Sequence, residues 1–222
     1  MTALLLGSIS TLADTSEIQR DAFNRAFAQH GLDWEWGQEE YRGLLQGNGG
    51  KDRVADYARE RGQDVDAAAV HATKSELYQA ALAEADIAPR DGVVETIRQA
   101  QEAGTKVALV TTTSRDNIDA LGRALAAHLD LSGLDLVVDA SQIDASKPDP
   151  AAYRYALQQL GEEPGACVAV EDNVGGVQAA NAAGIASVAF PNENTAGHDF
   201  SAASGRLEQL TLVDLQEHLD AS

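Results

Sequence analysis

A single cysteine, Cys167, leaves the chain without an intrachain disulfide, and so sparing a use of thiols is expected of a cytoplasmic protein. Positive charge is also scarce: 16 Lys and Arg stand against 35 Asp and Glu, for a formal net charge of −19. A field of that sign repels phosphate, so neither nucleic acid nor an anionic membrane is an expected partner. No apolar run approaches the ~20 residues that cross a bilayer, and the first residues lack the basic stretch of a secretion signal. Repeats and low-complexity tracts are missing. What is there is ordinary globular material, 44% hydrophobic and 23% charged over 222 residues. That length suits one domain, or a core with a small inserted domain, and a monomer is expected.

Apolar runs alternate with amphipathic stretches. Ala3–Leu6 reads as a strand closed by a turn at Gly7. Ile18, Ala22, Phe23, Ala26 and Phe27 recur at helical spacing over 16–30, and helical material continues to about Ala85 with breaks at Gly31, the Gly47–Gly50 cluster and Gly62. From residue 91 the pattern becomes helix 91–103, strand 106–110, helix 115–127, strand 134–138, a helix opened by Pro148 and Pro150, strand 167–170, helix 174–183 and strand 186–190. Strands alternating with helices predict an α/β fold, a parallel sheet with helices on both faces. The helical stretch after strand one is then an insertion. Ligands of such sheets sit beyond the carboxyl ends of the strands, which here are Gly7–Ile9, Thr111–Ser114, Asp139–Lys147 and Glu171–Asn173.

Three segments at those ends carry more specific information. "VTTTS" follows a strand, "SKPDP" precedes a helix, and "VAVEDNVGGVQAANAAG" joins strand to helix. Together they resemble motifs II to IV of the haloacid dehalogenase (HAD) superfamily, and the insertion resembles its helical cap. "AFNRAF", "GLDWEW", "GGKDR" and "NTAGHDF" are similar to CbbY-type, beta-phosphoglucomutase-like sugar-phosphate phosphatases. The resemblance implies a HAD-like, Rossmann-like core at 1–14 and 89–222, a helical cap at 15–88, and Mg²⁺-dependent hydrolysis of a phosphorylated sugar. It implies phosphate contacts from Thr111, Thr112 and Lys147, a distal-phosphate contact from Lys51, and metal ligation at Asp172 with Glu171 as its outer partner. Plainer roles stay open: Thr112 and Thr113 as helix caps, Lys51 and Lys147 as surface lysines, Asp172 and Glu171 as structural carboxylates. Cys167, Trp34 and Trp36 read as core, and His198 carries no assigned role.

The family's first motif, DxDGT, is absent. Gly7-Ser8-Ile9-Ser10-Thr11 stands in its place. Gly7 occupies the nucleophile's position and supplies no nucleophilic atom; Ile9 occupies that of the acid/base and cannot move a proton. Of the metal ligands, only Asp172 and the Ile9 carbonyl are expected to remain, so Mg²⁺ binding is expected to be weak or absent. Ser8 and Ser10 have no evident activating base, and Asp14 lies too far along the chain to substitute. A shifted reading frame is one account of the change: TTC-GAT-CTC-GAC-G, a coding of Phe-Asp-Leu-Asp-Gly, read without its first base gives Ser-Ile-Ser-Thr. The gene sequence over these codons tests it. Three functions follow: a phosphosugar-binding pseudoenzyme, an active phosphatase using a substitute residue, or a non-catalytic interaction protein.

Overall fold

A computed structural model describes residues 1–46 and 49–220. Six strands form one parallel sheet: β1 Ala3–Leu6, β2 Lys106–Val110, β3 Leu136–Val138, β4 Cys167–Glu171, β5 Ala186–Ala189 and β6 Gly205–Arg206, in the order β3-β2-β1-β4-β5-β6. β1 lies at the centre, with Leu5 opposite Ala108 on one side and Ala169 on the other. All four of its residues are buried, as a strand covered on both faces requires.

Alternate residues feed two separate cores. Leu4, Leu6, Val107, Leu109, Val168 and Val170 face a cluster completed by helices α6 (Val93–Glu102), α7 (Arg115–Leu125) and α10 (Leu212–Asp220). Ala3, Leu5, Ala108, Val110, Cys167 and Ala169 face α8 (Ala151–Leu160) and α9 (Val174–Ala182). Helices α2 (Ser16–Gln29), α3 (Gln38–Leu44), α4 (Gly50–Glu60) and α5 (Ala67–Glu84) lie between β1 and β2 in sequence. They build a third cluster from Phe23, Phe27, Trp34, Trp36, Tyr41, Val54 and Tyr57, whose rings meet largely edge-on. α5 also reaches the first sheet cluster through Tyr78 and Leu82. No helix among the described residues is long and apolar enough to cross a membrane.

Several expected boundaries move. Gly7 is followed not by a plain turn but by one helical turn, α1 (Ile9–Leu12), because the Ser8 hydroxyl caps the amides of Ser10 and Thr11. α6 starts at Val93 rather than residue 91: Gly92 precedes it at φ +81, and a Cβ there would lie 1.9 Å from the Leu210 carbonyl oxygen. α7 stops at Leu125 and β3 begins at Leu136, since Leu134 closes a short 3-10 turn. The break expected at Gly47–Gly50 falls partly on residues 47 and 48, outside the described residues. Neither β6 nor α10 is part of the sequence reading.

Candidate functional site

The carboxyl ends of β1, β2 and β4 and the loops after them border a cavity of about 440 Å³, closed on its far side by α2, α4 and α5. Gly7, Ser8, Ile9, Thr111, Thr112, Lys147 and Asp172 line one end; Phe23, Tyr41, Lys51, Arg53, His71 and Lys74 line the other. The structure thus brings together all of the sequence-derived site residues except Glu171, which is fully buried behind the wall.

At the core end the charged groups are turned on one another. The Lys147 ammonium donates to the carbonyls of Gly7 and Val110 (2.7 Å to Val110) and to Glu171 Oε1 at 2.6 Å. These are three acceptors for its three protons. Tyr153 adds a phenol donor to the same carboxylate oxygen at 2.7 Å. Glu171 lies in a slot between two glycines. A Cβ on Gly7 would meet its Cδ at 2.2 Å and the Tyr153 hydroxyl at 2.5 Å; one on Gly176 would meet its Cδ at 2.0 Å. Burial pushes the Glu171 carboxyl up and the Lys147 charge pulls it back, with the net shift upward. Tyr153 is driven well above its ordinary range by burial beside that carboxylate. The space beside Gly7 is thus not a hole: Glu171 fills it and pairs with Lys147.

Asp172 is also engaged. Its Oδ1 accepts from Ser8 Oγ at 2.7 Å and Asn173 Nδ2 at 3.0 Å, and its Oδ2 accepts from Asn192 Nδ2 at 3.0 Å. The Ile9 carbonyl, the second metal ligand expected to survive, accepts the Ala13 amide at 3.2 Å. Among the described residues no three His, Cys, Asp or Glu side chains stand close enough to hold a metal ion. Mg²⁺ demands near-octahedral oxygen ligation anchored by carboxylates, and this donor set does not fit it. Protons point at the oxygens a cation would need, and the other carboxylate is sequestered.

Two expectations change at Ser8. The sequence offers it no base, yet Asp172 is within hydrogen-bond distance. Its two lone pairs, however, accept the amides of Ser10 and Thr11 at 3.0 and 3.2 Å, which leaves none directed at a phosphorus atom. Asp14 accepts from Ser16 and from the Glu193 amide, and does not line the cavity. The cap of α7 is Ser114, not Thr112 or Thr113. Thr111 Oγ1 accepts the Thr113 amide, and Thr113 Oγ1 accepts from Asn117.

The far end differs in kind. Lys74 is buried, holds Gln19 Oε1 at 3.1 Å and lies 4.9 Å from the ring centres of both Phe23 and Tyr78. Burial, then the neighbouring Arg53 charge, lowers its ammonium to about 7. His71 is lowered to about 4 by burial and by Lys74, Arg53 and Lys51. Arg53 donates to the Leu44 carbonyl and sits over Phe23 and Tyr41. Among the described residues neither Lys51 nor Lys74 has a carboxylate in ion-pair range. Of these four, the sequence reading singled out Lys51 alone. Lys74 had a legible signal: it follows Val70 and precedes Tyr78 and Leu82 at steps of four, in the buried stripe of α5.

Residues 10–184 match the family model of the haloacid dehalogenase-like hydrolases, and the chain belongs to that family. The match starts past the altered positions 7 and 9. The chain is 39% identical over 217 residues to Protein CbbY of Rhodobacter capsulatus, covering 96% of each chain. Its fold is similar to the crystal structure of CbbY from Rhodobacter sphaeroides in complex with phosphate, with a TM-score of 0.89, 37% identity and 99% of each chain covered. It is also similar to a mutant of that protein in complex with xylulose 1,5-bisphosphate, with a TM-score of 0.88, 36% identity, and 97% of this chain and 99% of that one covered.

Proposed function

We propose that this protein binds a phosphorylated sugar and does not hydrolyse it. The observation that carries the reading is the pair Lys51 and Lys74, which line one end of the cavity beside Arg53; the two lysines have no carboxylate in ion-pair range among the described residues. Burial and the neighbouring Arg53 charge lower the proton affinity of Lys74, a cost that an anion relieves, and a phosphate ester is an anion of suitable size and charge. The sugar-phosphate class is supported by the bisphosphate held in the related CbbY structure. In this reading residues 15–88 are a cap over a core of 1–14 and 89–222, and the ligand lies between them.

Turnover by the family's route needs a carboxylate nucleophile and a proton-transferring group. Gly7 supplies neither, and the position its side chain would take is filled by Glu171. Ile9 is apolar and buried. Mg²⁺ would supply charge neutralisation of the transferring phosphoryl group, but the hydrogen-bonded state of Asp172 supports weak or no metal binding. Losing one essential group costs several powers of ten in rate, and losing a second adds little.

The test is phosphate release from a panel of sugar phosphates with Mg²⁺, for this chain beside a variant carrying Phe-Asp-Leu-Asp-Gly-Thr in the loop after β1. Release by the restored variant alone is expected; release by the parent that survives repeated purification contradicts the reading. A second reading, serine-based turnover, is favoured by the 2.7 Å contact of Ser8 with Asp172. It requires Ser8→Ala to abolish any release the parent shows.

A further inference from the structure

We infer that the cavity takes a phosphate monoester whose far end is neutral or cationic, a sugar monophosphate or amino-sugar monophosphate, and that a second phosphate gains nothing at the core end. This rests on the reading of the cavity as a phosphosugar site and goes further by assigning opposite preferences to its two ends.

The core end has no cation to spare. All three protons of Lys147 are taken by Gly7, Val110 and Glu171. Arg90 donates to the carbonyls of Ser10, Phe190 and Pro191. Meanwhile Asp172 borders the cavity with its carboxyl group, and among the described residues no group of three His, Cys, Asp or Glu stands close enough to hold a metal ion there. A phosphate dianion there would face that carboxylate without a compensating ammonium, and drawing Lys147 out would strand Glu171 as a buried unpaired charge. A hydroxyl or an ammonium faces no such penalty. Among the described residues Asp172 Oδ2 accepts from Asn192 alone, which leaves it a lone pair for a donor from the ligand. The opposite end has cations that need an anion. A ligand with one phosphate therefore has one orientation, phosphate on Lys51 and Lys74 and polar end on Asp172.

Calorimetric titration of the full chain tests this with two matched pairs: fructose 6-phosphate against fructose 1,6-bisphosphate, and glucose 6-phosphate against glucosamine 6-phosphate. We expect the bisphosphate to bind no tighter than its monophosphate, and the amino sugar to bind several-fold tighter than glucose 6-phosphate. In Asp172→Asn, checked for folding by its melting curve, the amino-sugar advantage should vanish and the bisphosphate should gain. A bisphosphate bound tenfold or more tighter by the parent chain overturns the inference, as does an Asp172→Asn variant whose ratios stay unchanged. Should the parent bind none of the four, the phosphosugar reading itself fails and the inference falls with it. Lys74→Met separates the levels, because it weakens all four probes alike without altering their ratios.

Discussion

The two ends of one cavity have treated their charges in opposite ways. On the sheet side the charge-bearing side chains turn on partners inside the protein: Lys147 on Glu171, Glu171 on Tyr153, Asp172 on Ser8, Asn173 and Asn192. On the helical side Lys51 and Lys74 have no counter-ion among the described residues, and Lys74 is buried at that cost. Beside Gly7 the space a side chain would take is filled by Glu171, which engages the lysine that the family resemblance assigned to phosphate. Lys51 and Lys74 have no such carboxylate neighbour among the described residues, and on that difference rests the proposed binding without catalysis.

That contrast predicts different fates for the lysines. Lys147→Met should destabilise the fold by ~3–5 kcal/mol, because it strands Glu171 in the interior. Lys74→Met should leave the melting temperature unchanged or raise it, yet weaken binding of a phosphate monoester by about tenfold to a hundredfold, the worth of a charge-assisted hydrogen bond. Equal effects of the two substitutions on stability, measured by chemical denaturation, would erase the distinction between the ends.

A smaller effect sharpens the account of the slot after β1. Gly7→Asp alone should cost ~1–3 kcal/mol through overpacking against Glu171 and Tyr153. Adding Glu171→Ala should recover part of that loss, since the new carboxylate can then face Lys147. A single substitution tolerated without loss would mean that Glu171 leaves the slot freely.

Acidity gives a gentler probe. Lys74 is lowered to about 7 by burial and Arg53, and a bound anion favours its charged form. Binding should therefore be tightest below about 7 and weaken as pH rises through it, with proton uptake on binding. In Lys74→Met that slope should flatten; an unchanged slope would assign the titration to another group. The smallest effect is expected at Ser8→Ala, which removes a helix cap worth about 1 kcal/mol and should leave phosphate-ester affinity within about threefold.

Much of this was legible in the chain. The apolar runs at Ala3–Leu6, Lys106–Val110 and Cys167–Glu171 marked the central strands because both sheet faces are covered. Thr111, Lys147 and Asp172 stood out as parts of family-like motifs at strand ends, and all three line the cavity. What stayed hidden depended on three-dimensional neighbours. The pairing of Lys147 with Glu171 spans 24 positions and exists because Gly7 and Gly176 leave a slot that only the fold brings together. Ser8 read as a hydroxyl without an evident activating base, and its capping of α1 needed the backbone to be seen. Arg53 and His71 lie on different helices, α4 and α5, and meet only across the cavity. Lys74 was readable in principle as a lysine in an apolar stripe, whereas α10, which buries Leu212 and Leu215, gave too short a signal to register.

The separation of binding from catalysis is tested most directly by phosphorus NMR of the purified chain mixed with Mg²⁺ and a near-equimolar sugar monophosphate. The ester resonance should shift or broaden as the protein is added, lose that response in Lys74→Met, and persist without growth of an inorganic phosphate signal. Inorganic phosphate accumulating in proportion to the protein, and unaffected by repeated purification, would contradict the account.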